Sequence, residues 1–449
     1  MKNSKGNKSI DRRKFVRQSL TGVGGVILAP TILSSCTKGA NDRLQIAHIG
    51  VGDRGSGILR DYFLKLENSR SVAVSDAFLD RRLVAAEMVD NYYKENSIAA
   101  PECKPYLDFE EILEREDIDA VIIATPDHWH LPAAIKSARA GKHIYLEKPL
   151  GLSYPNYIKL QKELNANDLK FHYGTQQRVS IHMKMGVEMI KEGVIGDIER
   201  VNVWAPGINP VESPVCPEPV PVPDTFDYDR WTGPAPLRPY CPERVTNNSS
   251  WFINDTSIGF IAGWGAHPLD IMVWALKDEI EGKYTCEGGG GFWAAGGLYN
   301  NVNSWDLNYT FKQGTEMRFF SDDVAQEKDL LSYLDQKRGN GTTFFGTKGW
   351  ISLSRGSAQS NIPEINTKLN ESLKNYTWMG GVFMDIIKGN KEELCPLSDA
   401  IISDSLSHVG NMAVRTNRKI KWDTESGKVI GDEEANSLFI REMRKPYEV

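Results

Sequence analysis

The stretch "RLQIAHIGVGDRGSGILRDYF", Arg43 to Phe63, limits what this chain can fold into more than any other. The apolar run Leu44–Ile49 predicts a buried parallel strand, and the residues after Gly55 predict a helix. Between them stands Gly50-Val51-Gly52-Asp53-Arg54-Gly55, a G-x-G-x-x-G motif. Alone the motif is weak. Here it joins a strand to a helix, and "SVAVSDAF" puts Asp76 at the end of the next strand, twenty-one residues after Gly55. Glycines let the backbone approach a pyrophosphate, the helix start offers free N–H groups and a positive dipole end, and the acid suits the adenosine ribose hydroxyls. Gly50, Gly52, Asp53, Arg54, Gly55 and Asp76 are therefore candidate cofactor-binding residues. Asp76 favours NAD, because a carboxylate repels a 2′-phosphate; Arg81 and Arg82 leave NADP open.

The strand–helix alternation continues. "IDAVIIATPDHWHLPAAIKSARAGKHIYLEKPLG" predicts a strand over Ile118–Ala124, a helix over Pro132–Ala140 and a strand over His143–Leu146. Such alternation implies an open parallel sheet whose ligands sit at the strands' C-terminal ends. Thr125, Pro126, His128, His130, Glu147 and Lys148 all fall just past such ends. Beyond Lys170 the texture changes. "DIERVNVWAP", "WDLNYTFKQGTEMRFF" and "TTFFGTKGWISLSR" read as strands, with turns at Gln313-Gly314 and Lys348-Gly349. Pro210–Phe226 is too proline-rich for a helix or a central strand and predicts a long surface loop. Trp231, Tyr240 and Trp251 follow it; such rings suit sugar faces, and they also suit ordinary packing, the commoner role for any single one.

The first 35 residues stand apart. Arg12 and Arg13 precede Phe15 and an apolar run from about Leu20 to Leu33, too short and glycine-rich for a comfortable membrane span. This resembles a twin-arginine export signal, and "LSSC" resembles a lipoprotein cleavage box with Cys36 as the lipidated first residue. The chain carries a formal charge of −6; its first 35 residues hold seven Lys/Arg and one Asp, so the remainder is −12. That balance, with no basic stripe, argues against nucleic acid as a partner. The cysteines show no C-x-x-C spacing, and His128, His130 and His267 make a poor metal template, so no metal site is expected. Cys216 and Cys241 flank the proline-rich stretch and could pair in an oxidising compartment; single thiols are the blander reading.

Gly50–Gly55, "ATPDHWH" and above all "EKPLG" resemble the Gfo/Idh/MocA family of sugar-type oxidoreductases. The resemblance continues through "FHYGTQQRVSIHMKMGVEMIKEGVIGDI", "FDYDRWTGPAPLRPY", "IAGWGAHPLDIM", "FFGTKGWISLSRG" and "SHVGNMAVRTNRKIKWD", stretches similar to an exported, often lipid-anchored branch. It implies an α/β Rossmann domain plus an α+β domain with a large, mostly antiparallel open sheet, a substrate cleft between them, and assembly of like chains through that sheet. The expected organisation is a signal over 1–35, a linker over 36–42, a Rossmann domain over 43–165, a substrate and oligomerisation domain over 166–420, and a C-terminal segment over 421–449 packing back on the Rossmann domain.

The resemblance also implies roles. Lys148 matches a catalytic lysine whose bond to the following proline is often cis, and His130 a residue that positions the nicotinamide. His267 matches a general base that takes a hydroxyl proton as hydride leaves the same carbon; imidazole suits this because its ordinary pKa of about 6.5 lies near working pH. The family pattern places an Asp four residues before this histidine, and here that position is Gly263. Arg178, Trp231, Tyr240, Trp264 and Asp270 are expected on the substrate side. The implied activity is that of an exported NAD(P)-dependent oxidoreductase acting on a sugar or glycoside hydroxyl, with tightly held, internally recycled cofactor. Two alternatives remain: a glycosidase or lyase using transient C3 oxidation and elimination, and a non-catalytic carbohydrate-binding relic in which Gly263 marks the loss.

Overall fold

The computed structural model describes residues 43–208, 213–214, 219–246, 249–373 and 379–449. The expected export signal, linker and lipidated Cys36 lie outside the described residues, as do Cys216 and parts of the proline-rich loop. Among the described residues no helix is long and apolar enough to cross a membrane.

Six parallel strands form the first sheet: β1 (Leu44–Ile49), β2 (Ser69–Ser75), β3 (Lys104–Tyr106), β4 (Ala120–Ile123), β5 (His143–Leu146) and β6 (Phe171–Tyr173), in the order β3-β2-β1-β4-β5-β6. Strands β2, β4, β5 and β6 are buried on both faces, as helix-covered parallel strands are, whereas the edge strand β3 is largely exposed. In β4, Val121 and Ile123 join the main core while Ala120 and Ile122 pack on the other face with Ile58, Phe63 and Phe383. The strand order reverses between β1 and β4, which opens a crevice at their C-terminal ends. The helices used below are α1 (Asp53–Ile58), α2 (Leu79–Glu95), α3 (Asp127–Arg139), α4 (Tyr154–Ala166), α5 (Ile181–Lys191), α6 (Ala266–Ile280) and α7 (Leu397–Thr416). Strands β1 and β5 match the sequence expectation residue for residue. Helix α3 starts five residues earlier than Pro132 suggested, because proline is easiest in a first turn and here sits inside the helix. Strand β6 completes the first sheet beyond residue 165.

The second sheet has nine strands: β7 (Ile198–Ala205), β8 (Lys283–Phe292), β9 (Val302–Thr310), β10 (Glu316–Ser321), β11 (Gly341–Gly346), β12 (Gly349–Ser354), β13 (Ser357–Ser360), β14 (Ile420–Asp423) and β15 (Lys428–Val429). Their order is β13-β12-β11-β7-β10-β9-β8-β14-β15, antiparallel except for the β7–β10 pair. Alternation sorts its faces. Val201, Val203, Met317 and Phe319 enter the main core with α6 and α7, whereas Trp204 and Phe320 point the other way and pack with Leu331 and Leu334. The C-terminal segment divides its contacts. Strands β14 and β15 extend the second sheet, and the residues after them return to the first domain. There Phe439 O accepts from Tyr154 N at 3.0 Å, and Tyr447 packs edge-on against Trp129.

Candidate active site

The motif after β1 has no room for side chains. Gly50 holds φ +83°, and a Cβ there would stand 2.8 Å from Ala124 O and Thr125 N. A Cβ at Gly55 would collide with Gly50 O at 1.9 Å. Only glycine allows α1 to start this close to the sheet. Asp76, at the end of β2, accepts from Val51 N and Phe78 N, each at 3.0 Å. Burial raises its carboxyl above the ordinary range, and the Phe78 amide and Arg81 pull it back. Arg81 lies over the Phe78 ring at 4.0 Å, and its guanidinium is 3.3 Å from where a Gly52 Cβ would be. A cleft runs over this cradle, lined by Gly50, Gly52, Asp53, Arg54, Asp76, Thr125 and Pro126, and its far wall includes Trp231, Trp251 and Tyr447. The glycine cradle, the buried and unpartnered Thr125 hydroxyl, and Asp76 at the ribose end fit a dinucleotide.

At the end of β5, Glu147 accepts from Arg54 Nη2 at 2.9 Å and from the Tyr145 hydroxyl at 3.0 Å. Lys148 follows, in a cis bond to Pro149. Its ammonium donates to Gly263 O at 2.7 Å and lies 5.2 Å from the Trp251 ring centre and 5.9 Å from that of Trp264. Burial lowers the Lys148 ammonium, while Glu147 and Asp127 pull it upward. His130 is buried, with Nδ1 2.6 Å from Pro149 O and Nε2 2.9 Å from Thr125 O; it ties the end of β4 to the turn after Lys148. From the other side, α7 grips that turn. Asp404 accepts from Gly151 N at 3.3 Å and from the Tyr157 hydroxyl at 2.5 Å, and His408 Nε2 lies 2.9 Å from Gly151 O. Burial pushes the Asp404 carboxyl up to about 7.

His267, at the start of α6, is 3% exposed. Its Nε2 takes a hydrogen bond from Arg355 Nη2 at 3.3 Å, since a guanidinium can only donate. The ring proton therefore sits on Nδ1, which is buried and unpartnered. Trp264 meets the ring edge-on at 6.1 Å. Burial drives the His267 pKa well below its ordinary value, and Lys148, Arg355 and Arg54 add to that push, so the ring is neutral. A Cβ at Gly263 would meet only Phe260 Cδ1, at 4.0 Å; the site has open space at that point.

Four expected substrate residues lie elsewhere. Arg178 and Asp270 are buried against each other, with Arg178 Nη2 to Asp270 Oδ1 at 2.7 Å and Arg178 Nη1 to Asp399 Oδ2 at 2.9 Å. They form an internal ion cluster joining the turn before α5 to α6 and α7. His267 and Asp270 share a helix but no contact, because Asp270 faces inward to Arg178 and Cys395. Tyr240 packs with Phe226, Tyr228 and Trp231 in a separate aromatic cluster. Trp231 lines the cofactor cleft rather than the space near Lys148, and its carbonyl accepts from Trp129 Nε1 at 3.1 Å. Trp264 is the one expected substrate residue beside both Lys148 and His267.

Two site residues escaped the sequence. Asp127, in "ATPDHWH", accepts from Trp251 Nε1 at 3.3 Å and the Ser257 hydroxyl at 2.6 Å, and so holds Trp251 over Lys148. Burial raises its carboxyl, with His130 opposing. Its signal was an acid directly after a predicted strand end. Arg355 sits in the turn between β12 and β13, 88 residues from His267, and meets it because α6 packs on the second sheet at β7 and β11. Cys241 is disulfide-bonded; Cys103, Cys286 and Cys395 are free thiols.

Residues 44–175 match the family described as oxidoreductase family, NAD-binding Rossmann fold, and residues 214–449 match its C-terminal alpha/beta domain. Over 220 residues the chain is 27% identical to a protein named glycosyl hydrolase family 109 protein from Shewanella baltica, covering 42% of this chain and 44% of that one. The match thus spans under half the length of that curated relative. Among solved structures, the WlbA dehydrogenase from Bordetella pertussis, in complex with NADH and UDP-GlcNAcA, superposes with a TM-score of 0.59 at 14% identity, covering 84% of this chain and 97% of that one. The aldose-aldose oxidoreductase from Caulobacter crescentus, complexed with glycerol, gives 0.56 at 15% identity, covering 84% and 99%. At these identities the likeness is one of fold.

Proposed function

The chain belongs to the Gfo/Idh/MocA family of oxidoreductases, and from that premise we propose that it oxidises a hydroxyl of a sugar or glycoside with a bound nicotinamide dinucleotide. The observation that carries this reading is Lys148: an ammonium at the switch-point crevice, framed by two indole rings and aimed across the cleft at the turn before His267. Gly50, Gly52, Gly55, Asp76 and Thr125 would hold the dinucleotide, whose nicotinamide supplies a hydride acceptor. Asp76 supports NAD and Arg81 supports NADP; mass spectrometry of the released cofactor decides between them.

The chain's own part is to bind the sugar and move a proton. Lys148 donates to Gly263 O and can turn the same hydrogen bond to the reacting oxygen, where it stabilises developing negative charge. Trp251 and Trp264 present faces that suit a pyranose ring and exclude water from the ammonium. His267 has one lone pair, on Nε2, and can take the hydroxyl proton once Arg355 yields it.

The elimination chemistry is a second reading, favoured by the family 109 relatives. It begins with the same oxidation, after which the C2 proton, made acidic by the new carbonyl, is lost with the aglycone. Export to the cell envelope, a lipid anchor at Cys36 and assembly of like chains are further parts of the proposal. The Cys241 disulfide suits an oxidising compartment. Outside the cytoplasm no nicotinamide pool can be drawn on, so the cofactor would stay bound; the cleft wall built from Trp231, Trp251 and Tyr447 is consistent with that. The test is incubation of the purified holoprotein with glycosides and an aldose acceptor. A keto-sugar product matched by a reduced aldose supports oxidoreduction; a free reducing sugar without net change in cofactor redox state supports elimination. Neither product, with nicotinamide present, removes the reading.

A further inference from the structure

The short helix Tyr228–Thr232 forms part of the outer wall of the dinucleotide cleft, through Arg230 and Trp231. Three attachments hold it. Trp129 of α3 donates from Nε1 to Arg230 O at 2.9 Å, and Gly233, at φ +49°, lies so close to the Trp129 ring that any Cβ would overlap it. Arg230 pairs with Asp108, two residues after β3, at 2.6 Å. The third attachment comes from the segment after β15. Arg444 donates from Nη1 to Asp229 Oδ1 at 2.7 Å, from Nη2 to Asp229 O at 3.0 Å and from Nε to Gly233 O at 3.0 Å. The Tyr447 hydroxyl donates to Asp229 Oδ2 at 2.6 Å. Both carboxylate oxygens of Asp229 are thus tied to one segment, and Arg444 lies over the Tyr447 ring, 4.9 Å from its centre. Tyr447 itself is buried and lines the cleft. Its ring meets Trp129 edge-on, and Trp129 meets Phe109 in the same way. Asp108 and Phe109 follow β3, which pairs with β2, the strand that leads into Asp76; this corner is the adenosine side of the cleft. The Asp229 side chain is 54% exposed, so its pairing with Arg444 can part without disturbing the core.

We infer that Asp229, Arg444 and Tyr447 form a latch across the adenosine end of the cleft, and that this latch sets how slowly the dinucleotide leaves. The inference rests on the oxidoreductase reading and adds to it what controls cofactor release. Asp229 and Arg444 are positioning residues: they act through Tyr447 and the wall helix. A carboxylate that meets a guanidinium and a phenol at once makes a short, directional joint. Parting it frees both sides of the cleft mouth together, Tyr447 on one segment and Arg230 with Trp231 on the other. Burial and the Asp229 carboxylate push the Tyr447 hydroxyl up to about 12, so it stays a donor at any working pH.

The experiment chases the holoprotein with an excess of isotopically labelled NAD or NADP, whichever it carries, and follows exchange by mass spectrometry. Asp229→Asn and Arg444→Gln are each expected to speed release roughly 10-fold, the scale of one hydrogen bond to a charged group. The double variant is expected to release no faster than either single one, because both open the same joint. Asp229→Glu, which keeps the carboxylate, is expected to retain slow release; general damage to the wall would not be rescued in this way. Tyr447→Phe, which removes one hydroxyl and keeps the ring, is expected to speed release as well, and it supplies the readout should a charge variant fail to fold. Unchanged release in the Asp229→Asn, Arg444→Gln and Tyr447→Phe variants, additive effects in the double variant, or fast release in Asp229→Glu overturns the inference. Those results would remove the latch and leave the oxidoreductase reading intact. A wild-type protein that carries no nicotinamide and takes up neither dinucleotide would sink the reading itself.

Discussion

At the scale of single residues, Lys148 is the most constrained group in the site. Its ammonium is held by Gly263 O and two indoles. Lys148→Ala is expected to lower turnover at least about 100-fold, the ordinary size of a lost proton-transfer or charge-stabilising group. Nicotinamide content, measured on the same preparation, should stay within a factor of about two and so separate lost chemistry from lost cofactor. Gly55→Ala makes the opposite prediction. Its Cβ would overlap Gly50 O, so α1 must move away from the cradle. The variant should lose bound nicotinamide, and the apo protein should be less stable by about 1–3 kcal/mol in a denaturant titration. Both positions were legible in the sequence, because each depends on a local pattern of strand, turn and helix. Arg355 was not, because its contact with His267 depends on the packing of α6 against the second sheet, which no spacing encodes. Arg178 and Asp270 misled for the complementary reason: a charged side chain in a family-like stretch reads as a ligand contact until its burial is known.

At the scale of elements, that same pair holds the second domain together. Arg178 in the turn before α5 reaches Asp270 on α6 and Asp399 on α7, and it also donates to Leu394 O at 2.8 Å. Removing one partner leaves a buried charge uncompensated, so Asp270→Ala should cost about 3–5 kcal/mol of stability. If Asp270 instead contacted sugar, the variant would keep its denaturation midpoint and change KM alone. Helix α7 also carries Asp404, whose carboxyl is raised to about 7 by burial. An acid raised in the folded state stays protonated there while the unfolded chain ionises near pH 4. Its contribution to stability is thus complete below about pH 4 and is lost as pH rises towards 7, by about 1 kcal/mol per pH unit. Asp404→Asn keeps an acceptor for Gly151 N and Tyr157 and removes the titration. Denaturation midpoints from pH 4 to 8 should fall less steeply in the variant; parallel slopes would show that Asp404 does not titrate in this window.

At the scale of the whole molecule, the first domain was readable because parallel βα units repeat one pattern, a buried run followed by a polar-faced helix. The nine-stranded order of the second sheet was not, since β7 pairs with β10 and β11, far along the chain. The C-terminal segment shows the same limit: its two strands on the sheet edge were not foreseen, and its later residues contact Tyr154 and Trp129. The proposed anchoring has its own check. Cys36→Ser should move the protein from the membrane fraction to the soluble envelope fraction, and an unchanged distribution would remove the lipid anchor.

The central claim is that this chain holds a nicotinamide dinucleotide in the crevice above Gly50–Gly55 and uses it beside Lys148. The most direct measurement denatures the protein as purified and identifies what is released by mass spectrometry, followed by titration of the apoprotein with NAD and NADP. Close to one equivalent of one dinucleotide per chain is expected, with the Gly55→Ala variant empty. A wild-type protein that releases no nicotinamide and takes up neither dinucleotide contradicts it.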